Sequence, residues 1–126
     1  MNLQGSILLV DDEAHIRKYV SLILKQLGNH KIIEATNGEE AIVAFNQEKP
    51  ALVLLDISMP LMNGLETLKK LREIDADVFV IMLTSMVNRQ SIDEALAAGA
   101  FNYIRKDTPK EEIATAIRET VEAHSV

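Results

Sequence analysis

The sequence has no cysteine. It can hold neither a disulfide framework nor a thiolate metal site, which fits a reducing compartment. No apolar run approaches the roughly 20 residues that a membrane helix needs. The first residues, MNLQGSILLVDDE, carry no basic segment and meet acids after a short apolar run, unlike a secretory leader. These absences lead us to expect a soluble, cytoplasmic protein without membrane association. Basic clusters are also missing: 13 Lys plus Arg stand against 19 Asp plus Glu, a net charge of −6. An acidic chain of this kind is not expected to bind nucleic acid. Three prolines and five glycines are dispersed, with no linker, repeat or low-complexity segment. What remains is 126 residues, which is one domain's worth and enough to bury a core without staples.

Five short apolar runs alternate with helical patterns. The runs are SILLV at 6–10, KIIEA at 31–35, ALVLL at 51–55, VFVIML at 78–83 and a weaker AFNYI at 100–104. Between the first two, Ile16, Tyr19, Val20, Ile23, Leu24 and Leu27 fall on one helical stripe, which Gly28 ends as a C′ residue. Thr36 and Glu39 have capping-box spacing ahead of Ala41, Ile42 and Phe45, and Pro50 closes that segment. Leu65, Leu68, Leu71 and Ile74 predict a third helix from Gly64; Ile92, Ala95 and Leu96 predict a fourth, stopped by Gly99. Thr108, Pro109 and Glu111 place a cap, a first-turn proline and a capping acid before Ile113, Ala116, Ile117 and Val121. Unbroken apolar strands are covered on both faces, and strands alternating with helices form a parallel sheet. The expected fold is a doubly wound α/β sandwich.

In such a sheet all strand C-termini share one edge, where ligands bind. Asp11 and Asp12 follow the first run, Asp56 the third, Thr84 the fourth and Lys106 the fifth. If the first and third strands are neighbours, the three acids converge. Clustered carboxylates need a cation, and oxygen-only donors point to a hard ion such as Mg²⁺. A hydroxyl and an ammonium opposite them can hold phosphate oxygens, which completes the equipment for phosphoryl transfer. Taken singly, each residue has a plainer reading. Asp11 and Asp12 could cap the first helix, Asp56 and Thr84 could be turn residues, and Lys106 could be a solvated edge lysine. Their coincidence at successive strand ends carries the argument.

The motifs ILLVDDE, LVLLDISMPLMNG, VIMLTS and GAFNYIRK, in this order and spacing, resemble the receiver domain of bacterial two-component response regulators, in the single-domain form of the chemotaxis regulators. The match spans about residues 6–122 of a single domain over 1–126. The resemblance implies a flavodoxin-like (βα)5 fold with strand order 2-1-3-4-5. It implies that a histidine kinase passes a phosphoryl group to Asp56, with Mg²⁺ held directly by Asp12, through water by Asp11, and by the Ser58 backbone carbonyl. Thr84 and Lys106 would then hold the phosphoryl group. Tyr103 matches the aromatic switch position. An unknown protein target would read the face of the fourth helix, fifth strand and fifth helix. Such a protein is no enzyme in the ordinary sense: it catalyses only its own phosphorylation and slow dephosphorylation.

Ser85 is small, as the family requires beside the threonine. The sequence departs from the family at Asp107, where Lys-Pro is usual. A cis bond before Asp107 would cost about 2.5–4 kcal/mol, against about 0.5–1 before proline. We expect a trans Lys106–Asp107 bond, a rearranged loop, and pairing of Asp107 with Lys106 when phosphate is absent. His15, His30 and His124 lack ligand spacing and are expected at the surface. Met59, Met62, Met82 and Met86 are read as apolar filler, with Met86 and Val87 as candidate partner contacts. Arg89 and Arg105 are read as solvated charges. A Mg²⁺-dependent phosphatase of the haloacid-dehalogenase kind would need Asp-x-Asp after its first strand and a cap over its substrate. This sequence supplies neither. A receiver cut from a longer regulator with its own output domain stays open as the alternative.

Overall fold

The computed structural model describes residues 1, 3–59, 62–85 and 88–124. Ten elements alternate: β1 (Ile7–Val10), α1 (Ala14–Leu27), β2 (Ile32–Ala35), α2 (Gly38–Glu48), β3 (Leu52–Leu55), α3 (Gly64–Ile74), β4 (Val80–Thr84), α4 (Arg89–Ala97), β5 (Asn102–Arg105) and α5 (Lys110–His124). The strands form one parallel sheet in the order β2-β1-β3-β4-β5, as the resemblance implies.

Side chains alternate along a strand, so each strand feeds two cores. Leu8, Val10, Val53, Leu55, Val80 and Met82 face α2, α3 and α4 through Ala41, Phe45, Leu68, Leu71 and Ala95. Ile7, Leu9, Leu52, Leu54, Ile81 and Leu83 face α1 and α5 through Val20, Ile23, Leu24, Ile113, Ile117 and Val121. Coverage on both faces is the reason β1, β3 and β4 are buried along their whole length. Among the described residues, no helix is long and apolar enough to cross a membrane.

Several expectations need correction. Tyr19, placed on the buried stripe, is 38% exposed, and Ile74 and Leu96 are also exposed. The plainer reading of Asp11 and Asp12 as caps of α1 does not hold: Glu13 occupies that position, and Asp11 Oδ1 accepts from the Glu13 N–H at 2.9 Å. Gly28 ends α1 in an extended conformation rather than a left-handed one. The α2 cap lies one residue later than Thr36: Asn37 accepts from the Glu40 N–H, while Glu40 rather than Glu39 reaches back to Thr36. Helix α5 also starts late, with the Pro109 carbonyl accepting from the Ile113 N–H, so proline stands at the cap instead of inside the first turn. His124 is exposed as expected, and its ring stacks on Phe79 at 3.8 Å and meets the edge of Phe101.

Candidate functional site

The register explains why the polar residues meet. Val10 pairs with Leu55, Leu55 with Met82, and Met82 with Tyr103, giving one row across four strands. Asp11 and Asp56 lie one residue beyond that row on adjacent strands, tied by the Asp56 N–H to the Val10 carbonyl at 3.1 Å. Thr84 lies two beyond it on β4, and its carbonyl accepts from the Lys106 N–H at 3.0 Å. Parallel strands in this register therefore bring Asp11, Asp56, Thr84 and Lys106 to one edge.

The side chains close the cluster. Carboxylate oxygens of Asp11, Asp12 and Asp56 all lie within 4.8 Å of one another. Asp11 and Asp56 are each 2% exposed, whereas Asp12 stands at the open rim. Lys106 Nζ lies 2.5 Å from Asp11 Oδ2 and 3.0 Å from Asp56 Oδ2. Thr84 is fully buried beside them. Ser58 is exposed, and its N–H donates to Asp56 Oδ1 over a long 3.3 Å. Asp12 and Ser58 share an open groove with Asn63 and Ser91. Tyr103 is half-buried against the α2–α3–α4 core.

One ammonium against three carboxylates leaves negative charge uncompensated. Burial pushes the Asp11 carboxyl above its ordinary value, and the hydrogen bonds from Lys106 and the Glu13 N–H only partly reverse this. Burial alone would lower the Lys106 ammonium, but hydrogen bonds to Asp11 and Asp56 and their charges raise it. Burial, with the Asp56 charge behind it, also raises the Tyr103 hydroxyl. The donor set is all oxygen and carries excess negative charge, which fits a divalent cation.

The Asp11 shift predicts a pH dependence. A buried acid with a raised pKa binds its proton more tightly in the folded state, so stability falls as pH rises above the ordinary value of 3.8. An Asp11→Asn variant keeps an oxygen for the Glu13 N–H but loses the charge. In metal-free buffer its melting temperature should exceed that of the parent at neutral pH, with the gap closing towards pH 3.8. Thermal melts across that range check this.

The backbone around Asp56 depends on Gly64. A Cβ there would overlap the Asp56 carbonyl and sit 2.6 Å from Ile57 Cα. The Gly64 N–H donates to the Ile57 carbonyl at 2.9 Å, so the start of α3 presses directly on the end of β3. Asn63 caps α3 by accepting from the Glu66 N–H at 3.0 Å. Pro60 and Leu61 of this loop, and the candidate contacts Met86 and Val87, lie outside the described residues.

Two expectations about β5 are resolved in different senses. No cis peptide bond occurs among the described residues, so Lys106–Asp107 is trans as expected. Asp107 does not pair with Lys106. Its two oxygens take Arg105 Nε at 2.9 Å and Nη2 at 2.7 Å. Arg105 is therefore a paired charge, whereas Arg89 is 90% exposed and only 3.5 Å from Asp93. Two site neighbours escaped the sequence reading. Glu13 Oε1 lies 3.7 Å from Lys106 Nζ, a role for which the third acid of DDE was a visible signal. Arg17 donates to the Asp11 carbonyl at 2.8 Å and to Glu34 at 2.9 Å, and no local pattern announced it.

Comparison with known proteins agrees with this geometry. A family model described as the response regulator receiver domain matches residues 7–118. The chain is 36% identical over 115 residues to the chemotaxis protein CheY of Bacillus subtilis, covering 91% of this chain and 96% of that protein. It is 38% identical over 117 residues to the probable transcriptional regulator ycf27 of Porphyra purpurea, covering 93% of this chain but 47% of the relative. The chain thus spans nearly all of one relative and about half of the other. The CheX-CheY-BeF3-Mg+2 complex from Borrelia burgdorferi contains a similar fold, with TM-score 0.86 and 28% identity over 98% of this chain and 91% of that one. The BeF3-activated DrrB receiver domain is similar at TM-score 0.82 and 28% identity, over 95% of this chain and 99% of that one.

Proposed function

The chain belongs to the response regulator receiver family, a family of phosphoacceptor regulators rather than enzymes acting on free substrates, and on that premise we propose that Asp56 carries the phosphoryl group. The observation that supports this assignment most is the partition of the acids. Asp11 Oδ1 is committed to the Glu13 N–H and Asp12 stands at the rim. Asp56 is buried between them and Lys106, with its other bond, from the Ser58 N–H, long and weak.

Asp11, Asp12, Asp56 and the Ser58 carbonyl are the oxygens that would hold Mg²⁺. The bound ion would offset the repulsion between carboxylate and phosphoryl oxygens. In the transfer, an Asp56 oxygen bonds to phosphorus as the phosphorus–nitrogen bond of a phosphohistidine breaks, and the imidazole leaves with the electron pair. Lys106 and the Thr84 hydroxyl hold the equatorial oxygens. New anionic oxygens draw these two groups inward, and the movement reaches Tyr103 and the face of α4, β5 and α5. That face is where a protein target would bind. We read the whole chain, 1–126, as one receiver domain working in the cytoplasm opposite a histidine kinase.

Incubation with acetyl phosphate tests the reading. With Mg²⁺ the protein should gain about 80 Da, the mass of one phosphoryl group; with a chelator it should gain none. Sustained hydrolysis of small phosphate esters without a labelled protein would instead support a phosphatase.

A further inference from the structure

Glu13 sits between the acid pair and α1. Its N–H is held by Asp11 Oδ1, and its carbonyl accepts from the Ile16 and Arg17 N–H groups at 3.1 Å, so its backbone is fixed. Its side chain is half exposed at the mouth of the site. Oε1 lies 3.7 Å from Lys106 Nζ, too long for a hydrogen bond and close enough for an ion pair. Oε2 lies 3.7 Å from the exposed His15.

An ammonium has three donors. Here Asp11 and Asp56 occupy two of them. Both belong to the oxygen set that would hold the cation, and a cation placed on them repels the ammonium. Among the described ion pairs of Lys106, Glu13 is the one partner outside that set. The Lys106 side chain is only 9% exposed, so a displaced ammonium needs a nearby anion more than a solvated one does.

We propose that Glu13 is a positioning residue acting through Lys106: it receives the ammonium when a divalent cation takes the acid cluster, and then competes with the phosphoryl oxygens for it. The proposal rests on Asp56 as the acceptor. It has two consequences of opposite sense. Glu13 helps the cation to bind, because it gives the displaced ammonium a partner. It slows phosphoryl transfer, because it detains the cation that must neutralise the equatorial oxygens. The transfer itself is unchanged: with acetyl phosphate, an Asp56 oxygen bonds to phosphorus and acetate leaves with the electron pair.

The test uses the full chain carrying Glu13→Gln or Glu13→Asp. Mg²⁺ binding is measured by calorimetry, and labelling by acetyl phosphate at saturating Mg²⁺ is followed by intact mass. Both variants should bind Mg²⁺ about threefold more weakly and label about threefold faster, a size set by a half-exposed ion pair. Glu13→Asp keeps the charge but is one methylene shorter. It follows Glu13→Gln because contact with Lys106, rather than the field of a distant charge, carries the effect. A Glu13→Asp variant that matches the parent overturns the proposal. So does a change in one quantity without the other, or slower labelling. If Glu13→Gln does not fold, Glu13→Asp, a good helix cap, carries the test alone. Absence of label on the parent protein would be a failure of the acceptor assignment instead, so the two failures are distinguishable.

Discussion

Replacing Lys106 by methionine should lower stability by about 3 kcal/mol in metal-free buffer, and Mg²⁺ should restore much of it. The side chain is 9% exposed and is paired with two acids that are 3% and 2% exposed. Removing one partner of a buried ion pair leaves uncompensated charge, which typically costs about 3–5 kcal/mol. Asp11 and Asp56 keep their hydrogen bonds from the Glu13 and Ser58 N–H groups, so the lower end applies. Mg²⁺ held by the acid cluster would supply the missing positive charge and, by binding the folded chain in preference, would stabilise it by mass action. The parent should gain less from Mg²⁺ than the variant, because in the parent the ion must displace an ammonium. The lysine also has its own pH signature. Its raised pKa means that its contribution is complete below 10.5 and lost as pH rises through the higher folded value. Melts with and without Mg²⁺ measure the first effect. Labelling of the variant should also fall at least tenfold, roughly the 1.4 kcal/mol or more that one positioned cation supplies to transfer.

Gly64→Ala should be almost as damaging, although it adds one methyl group. The new Cβ meets the backbone of Asp56 and Ile57, which cannot rotate away as a side chain could. Either α3 retreats or the end of β3 shifts. The first breaks the Gly64–Ile57 hydrogen bond, and the second moves the Asp56 carboxylate. Overpacking of this kind costs about 3 kcal/mol, a fall in melting temperature of roughly 10 °C for a chain of this size. Labelling should slow by at least tenfold, because transfer depends on sub-ångström placement. Gly38→Ala is the control. Its Cβ would meet side chains, those of Thr67 and Met62, rather than backbone, and its cost is turning the buried Thr67 hydroxyl away from the Asn63 carbonyl. A smaller loss of stability with near-normal labelling is expected there.

Residue order alone revealed the parts of the site whose cause is general. Strands buried on both faces are unbroken apolar runs, so the first polar residue after each run marks the edge where ligands bind. This made Asp11, Asp56 and Thr84 legible, with Lys106 one position further on, behind Arg105. The convergence itself depends on β1 lying beside β3, and nothing in the two runs announces their pairing. Helix starts were misplaced by one residue because neighbouring residues compete as caps. Thr36 and Asn37 both suit the position, and a difference of about 1 kcal/mol, settled by packing, decides between them. Asp107 was misread for a different reason. Its nearest ammonium in sequence, Lys106, is turned inward to Asp11 and Asp56, while the planar fork of Arg105 matches both carboxylate oxygens. Arg17 links β1, β2 and α1 through contacts that exist only once those elements are assembled.

The central claim is that Asp56, and no other acid of the cluster, takes the phosphoryl group. Intact-mass measurement of the parent chain and an Asp56→Asn variant, each incubated with acetyl phosphate and Mg²⁺, tests it most directly. The account predicts a gain of about 80 Da on the parent and none on the variant. An equal gain on Asp56→Asn, or no gain on the parent, would contradict it.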